Sequence, residues 1–204
     1  MHIIFDIESE EEFEIIVKQA EKELEEIAKN KIIEKKFVKI DKLRNRIHKI
    51  KLGEFAPDEI FEKVGEKKKS RFTINSKIYT VRMDSSRYFV FKDNLRCVAC
   101  GIEGTKMILE KQSASTAPHF NLYAEENGDN ILMTKDHIVA KANGGENDHS
   151  NYQTMCSICN NLKGSAHISL NSLRKLRKLY DDNKKTTPKR KLSNLIVEAR
   201  KKLK

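Results

Sequence analysis

Tryptophan is absent from the 204 residues, and aromatic residues make up only 7% of them. Stacking of flat ligands on successive rings is therefore not expected to dominate any binding by the aromatic-poor C-terminal segment. Long apolar runs are missing too: none approaches the roughly 18 residues that a membrane-spanning helix needs. Met1 to Asp6 is short and runs into a block of glutamates rather than a cleavage region, so no secretory signal is expected. Hydrophobic residues reach 38% and charged residues 34%, which implies a modest core with much exposed helix or tail. A soluble, cytoplasmic protein is the expectation.

Cysteine is scarce and its placement is informative. The four cysteines fall as Cys97-x-x-Cys100 and Cys156-x-x-Cys159, with none left over. Two such pairs are what a tetrahedral Cys₄ zinc site needs. Two disulfides are the alternative, but in a reducing compartment paired thiols are more often metal ligands.

The net charge of +10 conceals a division between the two ends. Residues 1–30 carry ten acids against three bases, whereas residues 163–204 carry fourteen bases against three acids. Clustered lysine and arginine neutralise phosphates and release counterions, which gives salt-dependent affinity for nucleic acid. A polyanion would repel the acidic end, which suits a protein partner instead. Solvated helix faces are the ordinary alternative for both charge runs.

Hydrophobic periodicity organises the chain. Ser9 and Glu12 have the form of a capping box, and Phe13, Ile16, Val17, Ala20, Leu24, Ile27 and Ala28 follow at helical spacing. Phe37, Ile40, Leu43, Ile47 and Ile50 predict a second helix stopped by Gly53, completing a helical hairpin. Pro57 and Asp58 begin a short third helix through Val64, followed by a basic loop over Gly65 to Ser70. Phe72 to Ile74 and Ile78 to Met83 predict a β-hairpin around Asn75-Ser76. Asp84, Ser85 or Ser86 caps a helix through Lys92, with extended chain over Tyr88 to Phe91 as the alternative. Phe120 to Ala124 and Ile131 to Thr134 predict another hairpin, which ends in Asp136 and His137. In the tail, Leu173, Leu176 and Leu179, then Leu192, Leu195 and Ile196, predict two short amphipathic helices.

Asp136 and His137 are adjacent, and Asn151 and Cys156-x-x-Cys159-Asn160 follow within 25 residues. A carboxylate and an amide oxygen suit Mg²⁺, thiolates suit Zn²⁺, and a neutral imidazole beside a cation is placed to activate water. The strand into Asp136 and His137, a loop from Val139 to His149, an extended piece over Tyr152 to Met155 and a helix from Ser157 make a ββα unit. Its first helical turn carries Asn160. The ordinary readings are a partly buried histidine, a strand-end cap at Asp136 and a helix-surface amide at Asn160.

The run Leu132 to Lys141, then Gly144-Gly145, Asn151 to Cys156, Cys159-Asn160 and Lys163-Gly164 resembles the zinc-bound subtype of the HNH endonuclease family. The resemblance covers Arg96 to Ser165, about a third of the chain. It implies that His137 is the general base and that Asp136 and Asn160 are ligands of a catalytic Mg²⁺ or Mn²⁺. It also implies that Asn151 braces the loop that holds the histidine, and that structural zinc sits on Cys97, Cys100, Cys156 and Cys159. The last family position is often histidine, and asparagine there keeps an oxygen for a hard metal. A proline common after the Asp-His pair is replaced by Ala140.

Lys135, Lys141 and Lys163 are candidate phosphate contacts, whereas His119, His149 and His167 read as surface or loop histidines. The expected architecture is α+β: an N-terminal helical hairpin, a small β element, a zinc-stabilised ββα-metal nuclease domain and a basic helical C-terminal tail. The corresponding divisions are residues 1–66, 67–168 and 169–204. The expected function is metal-dependent hydrolysis of phosphodiester bonds in DNA, RNA being the other substrate, with the acidic N-terminal helix available to a protein partner and a phage or mobile element as the source. The alternative is a zinc-stabilised nucleic-acid-binding or partner-docking protein without cleavage of its own.

Overall fold

The computed structural model describes residues 49–112 and 116–183, together with Glu14, Ile15, Lys18, Gln19 and Lys22, which are helical. The chain divides into one unit over His48–Asn160 and a second made of Met1–Ile47 with Asn161–Lys204. The expected N-terminal hairpin and the last expected tail helix fall almost wholly outside the described residues. In the second unit, a helix over Leu170–Asn183 buries Leu173, Leu176, Leu179 and Tyr180, the face predicted by leucine spacing. Ser169 caps it, accepting at Oγ from the backbone N–H of Ser172 at 3.1 Å.

The first unit is built on a five-stranded antiparallel sheet. Its strands are β1 (Ile50–Phe55), β4 (Gly104–Lys111), β5 (His119–Glu126), β6 (Asp129–His137) and β7 (Tyr152–Cys156), hydrogen-bonded in that order. A separate hairpin pairs β2 (Lys69–Ile74) with β3 (Lys77–Arg82). Among the described residues, the unit also holds the α-helices α1 (Pro57–Phe61) and α2 (Ser86–Asp93) and the start of α3 (Ser157–Lys163), whose last residues belong to the second unit together with α4, the Leu170–Asn183 helix. The aromatic run Tyr88 to Phe91 is therefore helical, and it buries Tyr88, Val90 and Phe91.

The expected hairpins form around turns whose central residues have positive φ. Asn75 and Ser76 lie at φ 49° and 62°, and Asn127 and Gly128 at 53° and 79°. Both turns match the right-handed twist of their strands, which requires positive φ at both central positions. Asn75-Ser76 meets this requirement without glycine.

Two expectations near the start of the described residues are corrected. Ile50 to Gly53 is not the end of a helix but part of strand β1, paired with β4 through a register shift between Lys51 and Gly53. Gly53 does not stop a helix there. A Cβ at that position would lie 2.9 Å from Ile74 Cδ1, so glycine lets β1 approach the β2–β3 hairpin closely. The basic stretch after Gly65 is a loop only as far as Lys68, because Lys69 already pairs with Arg82. Strand β4 is absent from the sequence expectations. Its Met107 to Glu110 run is buried at every position and shows no alternation to read.

Phe55, Phe72 and Phe120 join β1, the β2–β3 hairpin and β5 through edge-to-face contacts with centroids 5.9, 5.5 and 4.9 Å apart. Such pairs add about 0.5–1.5 kcal/mol each beyond area burial. Beside them lies a buried polar cluster. Glu110 accepts from Lys49 Nζ at 2.7 Å, from the Tyr123 hydroxyl at 2.9 Å and from the Asn121 amide. Arg87 donates to Asn121 Oδ1 at 2.7 Å and ties the cluster to α2.

Candidate active site

The β6–β7 pairing assembles the site. Asp136 faces Gln153 and His137 faces Tyr152 in the antiparallel register. Consecutive strand residues point to opposite faces, so Asp136 and His137 emerge on opposite sides of β6 where the strand ends. Gln153 Nε2 donates to Asp136 Oδ2 at 2.8 Å and orients a carboxylate that is only 6% exposed. On the other side the His137 and Tyr152 rings meet edge to face with centroids 4.8 Å apart.

Asn160 belongs to the Asp136 face. Thr134 precedes Asp136 by two residues and shares its side of the strand. The Thr134 hydroxyl donates to the Met155 carbonyl at 2.7 Å and accepts from Asn160 Nδ2 at 2.9 Å. With the hydroxyl proton committed to Met155, Thr134 is an acceptor towards Asn160, which sets the amide orientation. Oδ1 is then the acceptor atom that Asn160 could offer a cation. An anchored carboxylate and an oriented amide oxygen on one strand face are hard-cation donors of the right kind.

The His137 ring is oriented by Asn147. Its Nε2 lies 3.0 Å from Asn147 Oδ1, and that oxygen also accepts from the Tyr152 hydroxyl at 3.3 Å. An amide oxygen can only accept, so Nε2 carries the proton in the neutral ring and the basic lone pair is on Nδ1.

Asn151 stitches the intervening loop. Its Oδ1 accepts from Val139 N at 2.9 Å, while Nδ2 donates to Val139 O at 3.1 Å and to Glu146 O at 2.9 Å. The Asn151 carbonyl also accepts from Ile138 N at 2.9 Å. Both backbone polar groups of Val139 are therefore held two residues after His137. Gly145 makes this possible, since a Cβ there would lie 1.8 Å from Val139 O. Gly144, at φ 83°, closes the short 3₁₀ turn Lys141–Asn143 just before it. The loop keeps its shape without a proline at Ala140.

The four cysteines converge. Their Sγ atoms all lie within 4.8 Å of one another, and Cys100 Sγ is 3.8 Å from Cys156 Sγ. Four thiolates at the Zn–S distance of about 2.3 Å sit about 3.8 Å apart on a tetrahedron's edges, so the cluster fits zinc. The thiols also polarise one another. Hydrogen bonds from Cys100, Cys156 and Cys159 push Cys97 strongly towards thiolate, and Cys100 falls to about 7 through bonding to Cys156 and Cys159. Bonding to Cys100 shifts both Cys156 and Cys159 upwards, with Cys97 adding to each.

Local structure explains the convergence. The Cys97 knuckle turns through Gly101 at φ 78°, with Gly101 N bonded to Cys97 O and Cys97 N to Ile102 O, each at 2.9 Å. Val98 N reaches Thr154 O at 3.1 Å and hooks the knuckle onto β7. Cys156 ends β7 and Cys159 lies in the first turn of α3, so the strand-to-helix corner supplies the second pair. Asn160 follows Cys159 directly, and the cysteine cluster thus fixes where Asn160 stands.

Among the lysine candidates, Lys135 donates to Ser86 Oγ at 3.0 Å with its Nζ 3.4 Å from the centre of the Tyr152 ring. Lys141 is exposed on the 3₁₀ turn. Lys163 is only 4% exposed, which leaves little of it to meet an external phosphate. His149 pairs with Asp93 Oδ2 at 2.6 Å. Thr134, Asn147 and Gln153 escaped sequence reasoning. Their roles depend on strand register and loop closure, although Gln153 is signalled by its place two residues after Asn151.

No curated protein and no solved structure matches the chain. The segment from the end of β5 to the residues after α3, which holds Asp136, His137, Asn151, Cys156, Cys159 and Asn160 but neither Cys97 nor Cys100, does match a known family. Residues 125–166 match the HNH endonuclease model.

Proposed function

We propose that the chain is a divalent-metal-dependent endonuclease that hydrolyses phosphodiester bonds in DNA. The observation that carries this reading is the placement of Asp136 with Asn160 on one face of β6 and His137 on the other. In-line displacement at phosphorus sets the attacking water and the leaving oxygen on opposite sides. A base and a cation site on opposite faces of one strand end suit that demand.

Asp136 and Asn160 would hold Mg²⁺ or Mn²⁺, which would supply charge neutralisation at the phosphate and at the departing 3′ oxygen. Gln153 keeps the carboxylate turned towards the cation, and Thr134 keeps the amide oxygen outward. His137 takes the proton of the attacking water at Nδ1, while Asn147 fixes the tautomer from Nε2. Asn151 holds the loop on which this geometry depends. The four cysteines would hold a structural zinc, which would join the Cys97 knuckle to the start of α3 and take no part in proton transfer.

The basic residues 163–204 add non-specific attraction to the phosphate backbone. The acidic first 30 residues are a docking segment for a protein partner. An intracellular setting, with a phage or mobile element as source, fits a small basic nuclease that carries reduced cysteines.

The test is incubation of the full chain with supercoiled plasmid, linear duplex and single-stranded DNA in Mg²⁺ or Mn²⁺, with and without chelator. Metal-dependent nicking or cutting that His137→Ala abolishes is the expected result. Intact DNA under every condition, with DNA binding retained, would favour the zinc-stabilised binder instead.

A further inference from the structure

A cleft of about 740 Å³ lies outside the HNH segment, walled by the β2–β3 hairpin, the first turn of α2 and the chain entering β5. Lys69, Arg82, Arg87 and His119 line it. Two features set this cationic lining apart from an ordinary solvated surface. Lys69 and Arg82 are direct register partners across β2 and β3, where like charges repel, and the cleft lining offsets them with a single acid, Asp84, paired with Arg82. A polyanion seated between them would offset that repulsion. A chain of side-chain contacts also links His137 to the cleft. Ser86 lines it and accepts from Lys135 Nζ, which stands over the Tyr152 ring, and that ring packs against His137.

We propose that this cleft binds phosphate groups of the nucleic-acid strand on one side of the scissile bond, guiding it along Lys135 to His137. The inference rests on the nuclease reading for the identity of the polyanion. Lys69 and Arg82 supply the charge at the cleft. Asp84 restrains it by holding the Arg82 guanidinium through two hydrogen bonds of 2.9 and 3.1 Å. Arg87 is committed to Asn121 and contributes a fixed positive wall.

The experiment measures affinity of the full chain for a fluorescent duplex, without divalent metal, over a range of salt concentrations. Lys69→Gln combined with Arg82→Gln is expected to weaken binding about tenfold at low salt and to flatten the log–log salt slope by nearly two, at about 0.9 for each phosphate no longer neutralised. Asp84→Asn is expected to tighten binding several-fold by releasing Arg82. The charge-matched control Lys51→Gln with Lys77→Gln, exposed residues outside the cleft, should change affinity less than twofold. Wild-type affinity and slope in the cleft double variant would overturn the proposal, as would an equal loss in the control. Plasmid cleavage by the wild type, run in parallel with Mg²⁺, separates the two readings. Cutting by the wild type alongside an unaltered cleft variant removes the cleft alone, and a flattened slope without any cutting removes the nuclease reading alone.

Discussion

Asn151 holds Val139 by both backbone polar atoms, accepting from its N–H at 2.9 Å and donating to its carbonyl at 3.1 Å. Through Val139 the side chain controls the chain just beyond His137, and through Glu146 O it closes the other end of the same loop. The bonds of the asparagine side chain to Val139 and Glu146 are all to the loop backbone.

Asn151→Ala should therefore reduce activity without removing the base. Each hydrogen bond removed costs about 0.5–1.5 kcal/mol net, and more where a backbone group stays buried and unpaired. A misplacement of about 1 Å at the histidine costs on the order of 10²-fold in rate. The expected outcome is a large fall in kcat with a modest fall in melting temperature, read from cleavage kinetics and thermal unfolding. Wild-type kcat in a destabilised variant would show that the loop does not position His137.

Gly145→Ala tests the same loop from the other side. The added Cβ would meet Val139 O at 1.8 Å, so the backbone must shift and the Asn151 bonds must lengthen. A loss of cleavage comparable to that of Asn151→Ala is expected, and the double variant should lose little more, because both changes open one structure.

Asp136→Ala and Asn160→Ala should raise the Mg²⁺ or Mn²⁺ concentration needed for half-maximal cleavage, since each removes one protein donor. Gln153→Leu should do so more weakly, because it frees the Asp136 carboxylate to rotate without deleting it. Metal titrations of the cleavage rate check the order. Equal metal requirements across the three variants and the wild type would remove Asp136 and Asn160 from the cation site.

Zinc removal should act on folding before chemistry. Metal analysis is expected to find one zinc per chain, and a chelator that strips it should abolish cleavage that added Mg²⁺ does not restore until zinc is returned. Cys97→Ser and Cys159→Ser should each lower zinc content and thermal stability together. A zinc-free chain with unchanged melting would end the structural-metal reading.

Glu110 gives the stability a defined pH dependence. Burial alone would raise its pKa, but hydrogen bonds from Lys49, Asn121 and Tyr123 hold it below the ordinary 4.5. A carboxyl whose folded value lies below its unfolded one contributes stability that is fully present above the unfolded value. That contribution is lost as pH falls through the folded value. Glu110→Gln should cost about 1–3 kcal/mol at neutral pH, as expected for a buried polar group that loses partners. It should also flatten the loss of stability below pH ~4.5, because the titrating group is gone. Denaturant unfolding between pH 3 and 7 measures both.

Local chemistry made the cysteine cluster and much of the secondary structure readable from the sequence. The doubled Cys-x-x-Cys spacing, Asp136-His137 and the Asn127-Gly128 turn each carry their meaning over a few residues, as does the leucine spacing of α4. Strands β1 and β4 were not readable, because β4 is buried along its centre without alternation and the glycine in β1 serves a contact with Ile74. Register was equally invisible. The pairing of β6 with β7 makes Gln153 the partner of Asp136 and Tyr152 the partner of His137, and it brings Thr134 within reach of Asn160. The residue types alone made His137 a candidate base, Asp136 and Asn160 candidate hard donors and the four cysteines candidate soft ones. Only the tertiary structure decided that His137 emerges on one face of β6 and Asp136, with Thr134 and its partner Asn160, on the other, because side-chain direction follows from pairing between segments distant in sequence.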